Sequence, residues 1–305
     1  MPDEDLRPGP PAESFADGLA EGLAEGLAES FADLGADADP DAEALRRSGI
    51  DVTVPSVART YDYMLGGKDN FAVDRAVGDQ LYALTPEAGR ATRLNREILR
   101  RAVRFLCQEG IRQFLDLGSG LPTQDNVHQV AQRHLPGARV VYVDNDPIVL
   151  AHGRALLADT ADTAVITADL REHDRVLGHP DTRRLIDLDE PVGVLLCGVL
   201  HHFDDADDPA GIVAAYRDAV PPGSHVFITH FCSGTPFAKR SEEILLTRLG
   251  SGRYRDKTEI TAFFDGWDLV EPGVVYLPQW RPDEPLLREP TDLEKFMAGG
   301  VGRKP

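Results

Sequence analysis

The sequence has little that would mark an exported, membrane-bound or metal-bound protein. Its 305 residues include only three cysteines, Cys107, Cys197 and Cys232, far apart, with no Cys-x-x-Cys pair and no histidine at ligand spacing. That pattern argues against a zinc site and a disulfide framework and fits core thiols in a reducing compartment. Long apolar runs are also missing. The longest, Pro191 to Leu200, is too short to span a bilayer, and the chain opens on Asp3 and Glu4 in place of a basic leader. A cytoplasmic protein that makes no use of a membrane is the expectation. Positive charge is scarce as well, with 32 Lys and Arg against 51 Asp and Glu and a net charge of −19 at pH 7. A surface of that sign repels polyanions, so nucleic acid is not an expected partner. The one dense arginine cluster, Arg90, Arg93, Arg96, Arg100, Arg101 and Arg104, reads as the solvated face of a helix.

What is present suffices for one large α/β domain with appendages, since 42% of the residues are apolar. Residues 1–47 hold thirteen acids against three arginines and so carry −10 of the net charge. A four-residue repeat, Gly18-Leu-Ala-Glu21 through Glu29, sets Leu19, Leu23 and Leu27 on one helix face. Its glycines 18, 22 and 26 each cost on the order of 1 kcal/mol in a helix. The segment is therefore read as a disordered, solubilising acidic tail, with a partner-binding leucine stripe as the alternative.

Residues 48–110 read as a helical extension and residues 111–305 as the main domain. Helical periodicity runs from Asn95 to Glu109. Strands near 112–117, 139–144 and 163–168 then alternate with helices near 123–134 and 146–158, the order of a doubly wound, mostly parallel sheet. A fourth strand, Val192 to Cys197, and a fifth, Ser224 to His230, follow, with helices near 236–249 and 258–265. The stretch from Trp267 to Leu277 reads as two strands about Pro272-Gly273, suited to an antiparallel edge.

The most informative motif is Phe114-Leu-Asp-Leu-Gly-Ser-Gly120. An apolar strand ends in Asp116 and turns through Gly118, Ser119 and Gly120, where the missing Cβ atoms let backbone approach a ligand. A dinucleotide fingerprint needs a third glycine where Thr123 stands, so NAD loses ground. An acid ahead of the glycines suits the zwitterionic methionine part of S-adenosylmethionine; a tight turn with a capping role is the alternative. Two more strands end in acids. Val140 to Asp144, followed by Asn145, places Asp144 26 residues after Gly118, near the spacing of a ribose-binding carboxylate. Ala164 to Asp169 sets Asp169 where an adenine amino group would donate, with Leu170 over the ring face. For each acid alone a helix cap is an equal reading; three acids converging on the carboxyl ends of adjacent strands favour one ligand site.

Ahead of the first strand, Tyr61-Asp-Tyr-Met-Leu-Gly-Gly-Lys-Asp-Asn-Phe71 forms a polar loop between helices, without the P-loop frame. Two readings stand: a lid over the cofactor with Lys68 near a carboxylate, or a helix C-cap glycine followed by an N-cap asparagine.

With these motifs in order, the chain resembles the class I, Rossmann-like S-adenosylmethionine-dependent methyltransferases. Residues 55–305 are similar to a bacterial family long catalogued as a domain of unknown function. The resemblance rests on the Tyr61–Phe71, Phe114–Thr123, Val140–Leu150 and Ala168–Leu170 motifs. It implies a Rossmann-like domain over 111–305, an S-adenosylmethionine cofactor and methyl transfer to an acceptor that the family leaves undefined. Many relatives carry a further glycine where this chain has Pro122, whose fixed φ suits the first turn of a helix but which lacks an N–H. The cofactor carboxylate would then depend more on the Tyr61–Asn70 loop.

Such transfer needs alignment more than a protein nucleophile. A base for the acceptor proton is sought at the fourth strand's end, where His201 and His202 follow Gly198-Val-Leu. Adjacent residues on an extended chain point apart, so at most one of the two is expected to face the site; a helix cap or core histidine is an equal reading for each, and Asp204 or His230 are the groups that would orient an acceptor instead. A small-molecule methyltransferase of secondary metabolism is the leading expectation. A non-catalytic S-adenosylmethionine-binding regulator acting through the acidic tail is the alternative, and an NAD-linked oxidoreductase is a third. Oligomeric state is not legible.

Overall fold

The computed structural model describes residues 50–122, 125–157 and 161–305; the acidic tail and Thr123 lie outside the described residues. In chain order the helices and strands are α1 (Val57–Leu65), α2 (Ala72–Leu84), α3 (Gly89–Gln108), β1 (Gln113–Leu117), α4 (Val127–His134), β2 (Arg139–Asp144), α5 (Pro147–Leu157) and β3 (Thr163–Thr167). There follow α6 (His173–Gly178), α7 (Pro180–Leu185), β4 (Gly193–Cys197), α8 (Pro209–Ala219), β5 (His225–Phe231), α9 (Pro236–Leu249) and α10 (Lys257–Ala262). The chain closes with β6 (Asp268–Leu269), β7 (Val275–Tyr276) and β8 (Met297–Arg303).

The strands form one sheet in the order β3-β2-β1-β4-β5-β8-β6, with β7 also on β8. Strands β1 to β5 pair in parallel and β8 runs antiparallel to β5. The parallel strands are near-continuous apolar runs because both faces are covered; all five residues of β1 are buried. Among the described residues, the two largest apolar clusters lie on the sheet. One gathers Ile98, Val103 and Leu106 of α3 with Phe114 and Phe227; the other joins Leu115, Val141, Leu196 and Tyr216. Strand order reverses between β1 and β4, the switch point at which doubly wound sheets open a crevice at their carboxyl ends.

Several sequence expectations are corrected. The stretch around Pro272-Gly273 is not a hairpin. Leu269 pairs with Gly302 and Val275 with Gly299, so β6 and β7 are two pieces of one edge strand on β8, separated by a turn closed by Gly273 N–H to Val270 O at 2.8 Å. The strand β8 between this edge and β5 was unforeseen, as were α6, α7 and α8. Pro122 does not open a helix, since α4 begins at Val127 behind its Asn126 cap.

The extension before β1 is three helices. Ser56 caps α1, and Gly66, at φ 83°, ends it. A buried ion pair fixes the start of both α1 and α2. Arg59 Nε meets Asp74 Oδ2 at 2.9 Å, and the Asp74 carboxylate also accepts from Ser56 and Phe71 N–H at 2.9 and 2.8 Å. With its hydrogen-bonding capacity filled, such a pair is tolerated in the interior and hard to break from one side.

Candidate active site

At the end of β1 the chain turns through Gly118 (φ 71°) and Gly120 (φ 66°), in the left-handed region that favours glycine. A Cβ on Gly118 would lie 2.4 Å from Val199 Cγ2, so the glycine also permits close packing against the segment after β4. The loop is fastened to β2. Gly118 and Ser119 N–H donate to Val143 O at 2.8 and 3.1 Å, and Gly120 N–H to Asp144 Oδ2 at 2.8 Å.

This loop borders a cavity of about 460 Å³, within the range of small-molecule sites. It is lined by Asp116, Gly118, Ser119 and Gly120, by Asp144 and Asn145, by Asp169 and Leu170, and by His201 and His202. The three strand-end acids sit in three electrostatic environments. Asp116 is 5% exposed, and burial pushes its carboxyl up to about 7 although Arg96 opposes the shift. Asp144 is raised by burial against the N–H groups of Asp146 and Gly120. Asp169 is lowered, held by Arg171 through its guanidinium fork at 2.7 and 3.1 Å. Arg171 also meets Asp207 at 2.7 Å.

Lys68 is brought to none of this. Gly66 turns the chain back on α1, where Asp69 N–H and Asn70 Nδ2 both donate to Asp62 Oδ2 at 2.9 Å. The loop thus folds onto its own helix, and Lys68 is exposed and outside the cavity lining. The glycine cap is observed, but the cap of α2 is Phe71 and not Asn70. What borders the cavity instead is α1 with its cap: Ser56, Thr60 and Tyr61 line it, and Ser56 Oγ donates to Asp146 Oδ2 at 2.6 Å.

Both histidines line the cavity, against the expectation of at most one. Leu200–His202 is a 3₁₀ turn, not extended chain, so successive side chains are set about 120° apart, and the two rings lie 4.4 Å apart. His201 is buried, stacked on Phe231 at 3.5 Å, and its Nδ1 has no hydrogen-bond partner. His202 Nδ1 meets Ser251 Oγ at 2.9 Å. Burial drives His201 well below its ordinary value and His202 down to about 4, so both are neutral at pH 7. Asp204 and His230 are occupied elsewhere. Asp204 caps the next turn, while His230 Nδ1 meets Phe231 O at 2.7 Å and its Nε2 faces Arg255 Nη1 at 3.0 Å.

Sequence reasoning missed Arg96 and Asn95, and it put Tyr61 in a polar loop although Tyr61 to Leu65 belong to α1. Arg96 does not join a solvated face; it lines the cavity and acts on Asp116. Asn95 is buried, donates to Tyr61 Oη at 3.3 Å and accepts from Thr229 Oγ1 at 2.7 Å. Cys197 belongs to the same group and lines the cavity, so it is not a plain core thiol. The i,i+3 and i,i+4 spacing of Asn95 from Ile98 and Leu99 was the only signal for its inward turn.

The residues present fit S-adenosylmethionine. A glycine cradle stands beside a buried acid, and the buried Ser119 Oγ and Thr60 Oγ1, both of cavity-lining residues, have no protein partner. Comparisons agree. The S-adenosyl methyltransferase family model matches residues 43–305. A crystal structure from Thermobifida fusca YX, assigned there to the methyltransferases, is 48% identical, with TM-score 0.81 over 84% of this chain and 97% of that one. A DUF574 family protein from Streptomyces avermitilis MA-4680 is 37% identical, with TM-score 0.79 over 83% of this chain and 99% of that one. Among curated proteins none matches. The chain belongs to the S-adenosyl methyltransferase family and is an S-adenosylmethionine-dependent methyltransferase of the class I fold.

Proposed function

We propose that the chain methylates a small molecule held in the same cavity as the cofactor, with His201 or His202 taking the acceptor proton. One observation carries this reading: the cavity that begins at the glycine loop continues to both imidazoles and ends against apolar side chains of α2 and α9. A site bordered by α1 in this way suits a molecule that can enter it whole.

The proposed division of labour follows the strands. Asp116 faces the ammonium of the methionine part, with Gly118, Ser119 and Gly120 around it. Asp144, helped by Asn145, receives the ribose hydroxyls. Its oxygens already accept from Gly120 and Asp146 N–H, at 2.8 and 2.9 Å, and a carboxylate has lone pairs to spare. Asp169 accepts from the adenine amino group, Arg171 holding it ionised, and Leu170 covers the ring. The cofactor supplies an electrophilic methyl group on a sulfonium. The protein's part is alignment, exclusion of water and a proton acceptor at an imidazole nitrogen. Neutral imidazoles are in the state a base requires.

The test is release of S-adenosylhomocysteine from S-adenosylmethionine in two fractions of a cell extract, one dialysable and one retained. Turnover in the dialysable fraction, lost in the His201→Gln, His202→Gln double variant, is the expected result. Turnover confined to the retained fraction would overturn the small-molecule reading. The class I methyltransferase assignment leaves the regulatory and NAD-linked alternatives without support.

A further inference from the structure

We propose that the acceptor is an uncharged, planar aromatic molecule with a phenolic or enolic hydroxyl, bound in the apolar half of the cavity and methylated on that oxygen. This rests on the reading of the cavity as a methyl-transfer site.

The first observation is where charge is placed. Among the described residues, seven charged side chains line the cavity, and all belong to the cofactor half. Asp116, Asp144 and Asp146 lie at the ends of β1 and β2. Asp169, Arg171 and Asp207 form one ion-paired group, and Arg96 acts on Asp116. The opposite wall is Leu81 of α2, Phe237 and Leu245 of α9, Phe231 at the end of β5, and Phe296 and Met297 at the start of β8. None of these carries charge. All six join one apolar cluster, so the wall is continuous. A carboxylate or ammonium seated there would be desolvated without a partner, which an ionised group does not tolerate.

The second observation is the shape of that wall. The Phe231 and Phe296 rings lie 4.8 Å apart and Phe237 and Phe296 5.2 Å apart, while His201 stacks on Phe231. Tilted and stacked rings at these spacings favour another aromatic ring.

The third is that the polar handles beside this wall are uncharged. They are His201, the His202–Ser251 pair and Tyr61 Oη, itself bonded to Thr92 O and Asn95, with Cys197 next to Asn95. Neutral imidazoles offer no cation for a carboxylate. They suit a neutral hydroxyl, and a phenolic one, with a pKa near 10, gives up its proton far more readily than an alkyl alcohol. In the transfer the hydroxyl oxygen forms a bond to the methyl carbon as the carbon–sulfur bond breaks. Both electrons of that bond stay on sulfur, which becomes a neutral thioether, and the hydroxyl proton passes to an imidazole and then to water.

The experiment is calorimetric titration of the full chain, preloaded with S-adenosylhomocysteine, with 1-naphthol, naphthalene, 1-naphthoate and 1-naphthylmethylammonium. The expected result is that 1-naphthol binds at least tenfold tighter than either ion and measurably tighter than naphthalene. Phe237→Asp should weaken 1-naphthol at least tenfold, and Phe296→Leu should weaken it less, while each leaves S-adenosylhomocysteine affinity within twofold. That unchanged affinity shows the variants are folded. Failure of 1-naphthol to bind the loaded protein, equal binding of an ion, or indifference to Phe237→Asp would overturn the proposal alone. Failure of S-adenosylhomocysteine to bind would instead overturn the reading on which it rests.

Discussion

Replacing Asp116 by Asn separates the ligand role of this carboxyl from a structural one. Burial raises the carboxyl from its ordinary value near 4 to about 7, so the fold penalises the ionised form by about 4 kcal/mol at 1.36 kcal/mol per tenfold. The sign follows from proton counting. Between pH 5.5 and 7 the unfolded chain keeps Asp116 ionised while the fold still binds a proton there, so this group makes stability fall as pH rises, by about 1.6 kcal/mol over that window. His201, His202 and His230 act oppositely. Each is neutral in the fold and takes up a proton on unfolding, adding about 1 kcal/mol apiece over the same window. The quantity to measure is therefore the difference between wild type and Asp116→Asn. That variant should gain on wild type by about 3–6 °C in Tm as pH goes from 5.5 to 7, at roughly 2–4 °C per kcal/mol for a domain of this size. Binding should run the other way. A ligand ammonium needs the ionised carboxylate, whose population rises about fifteenfold over the window. S-adenosylhomocysteine affinity should rise by that factor in wild type and stay flat in Asp116→Asn. At pH 7 the variant should bind about 10- to 150-fold more weakly, the worth of a charged hydrogen bond of about 1.5–3 kcal/mol. Undiminished affinity in the variant, or the wild-type pH slope persisting in it, would refute the reasoning.

Other consequences are as direct. Gly118→Ala places a Cβ 2.4 Å from Val199 at φ 71°, and should cost about 2–6 kcal/mol from backbone strain and overpacking in urea unfolding. Adding Val199→Ala should recover only part of the overpacking share, because the Cβ that remains lies 2.8 Å from the added one. Arg59→Ala leaves Asp74 buried without its cation and should destabilise by about 3–5 kcal/mol by the same method. His202 is held down to about 4, so His202→Gln should remove up to about 3 kcal/mol of the stability that wild type loses on acidification from pH 7 to 4. An unchanged acid-unfolding profile would contradict that burial effect.

How much of this was legible in the chain depends on how local each signal is. Asp116, Asp144 and Asp169 stand at the ends of short apolar runs, and parallel strands bring such ends together whatever lies between them. Their convergence on one cavity was therefore readable. His201 and His202 were found but misplaced, because strand alternation was assumed where a 3₁₀ turn aims both rings inward. Strand β8 was invisible because Gly299, Gly300 and Gly302 read as turn formers. Here they permit close approach: a Cβ on Gly299 would lie 2.4 Å from Ile228 O, and one on Gly302 2.8 Å from Trp267 Cβ. Lys68 was drawn to the site by its charge, while the Asp62 carboxylate that folds its loop away lies within the same motif. The apolar half of the cavity is assembled from α2, α9, β5 and β8, with no local pattern to announce it.

Asp144 is proposed to meet the ribose of S-adenosylmethionine in this cavity. Calorimetric titration of wild type and Asp144→Ala with S-adenosylmethionine and with NAD tests it most directly. The expected result is binding of S-adenosylmethionine alone, weakened at least tenfold in the variant. Equal affinity in both proteins, or binding of NAD in its place, would contradict it.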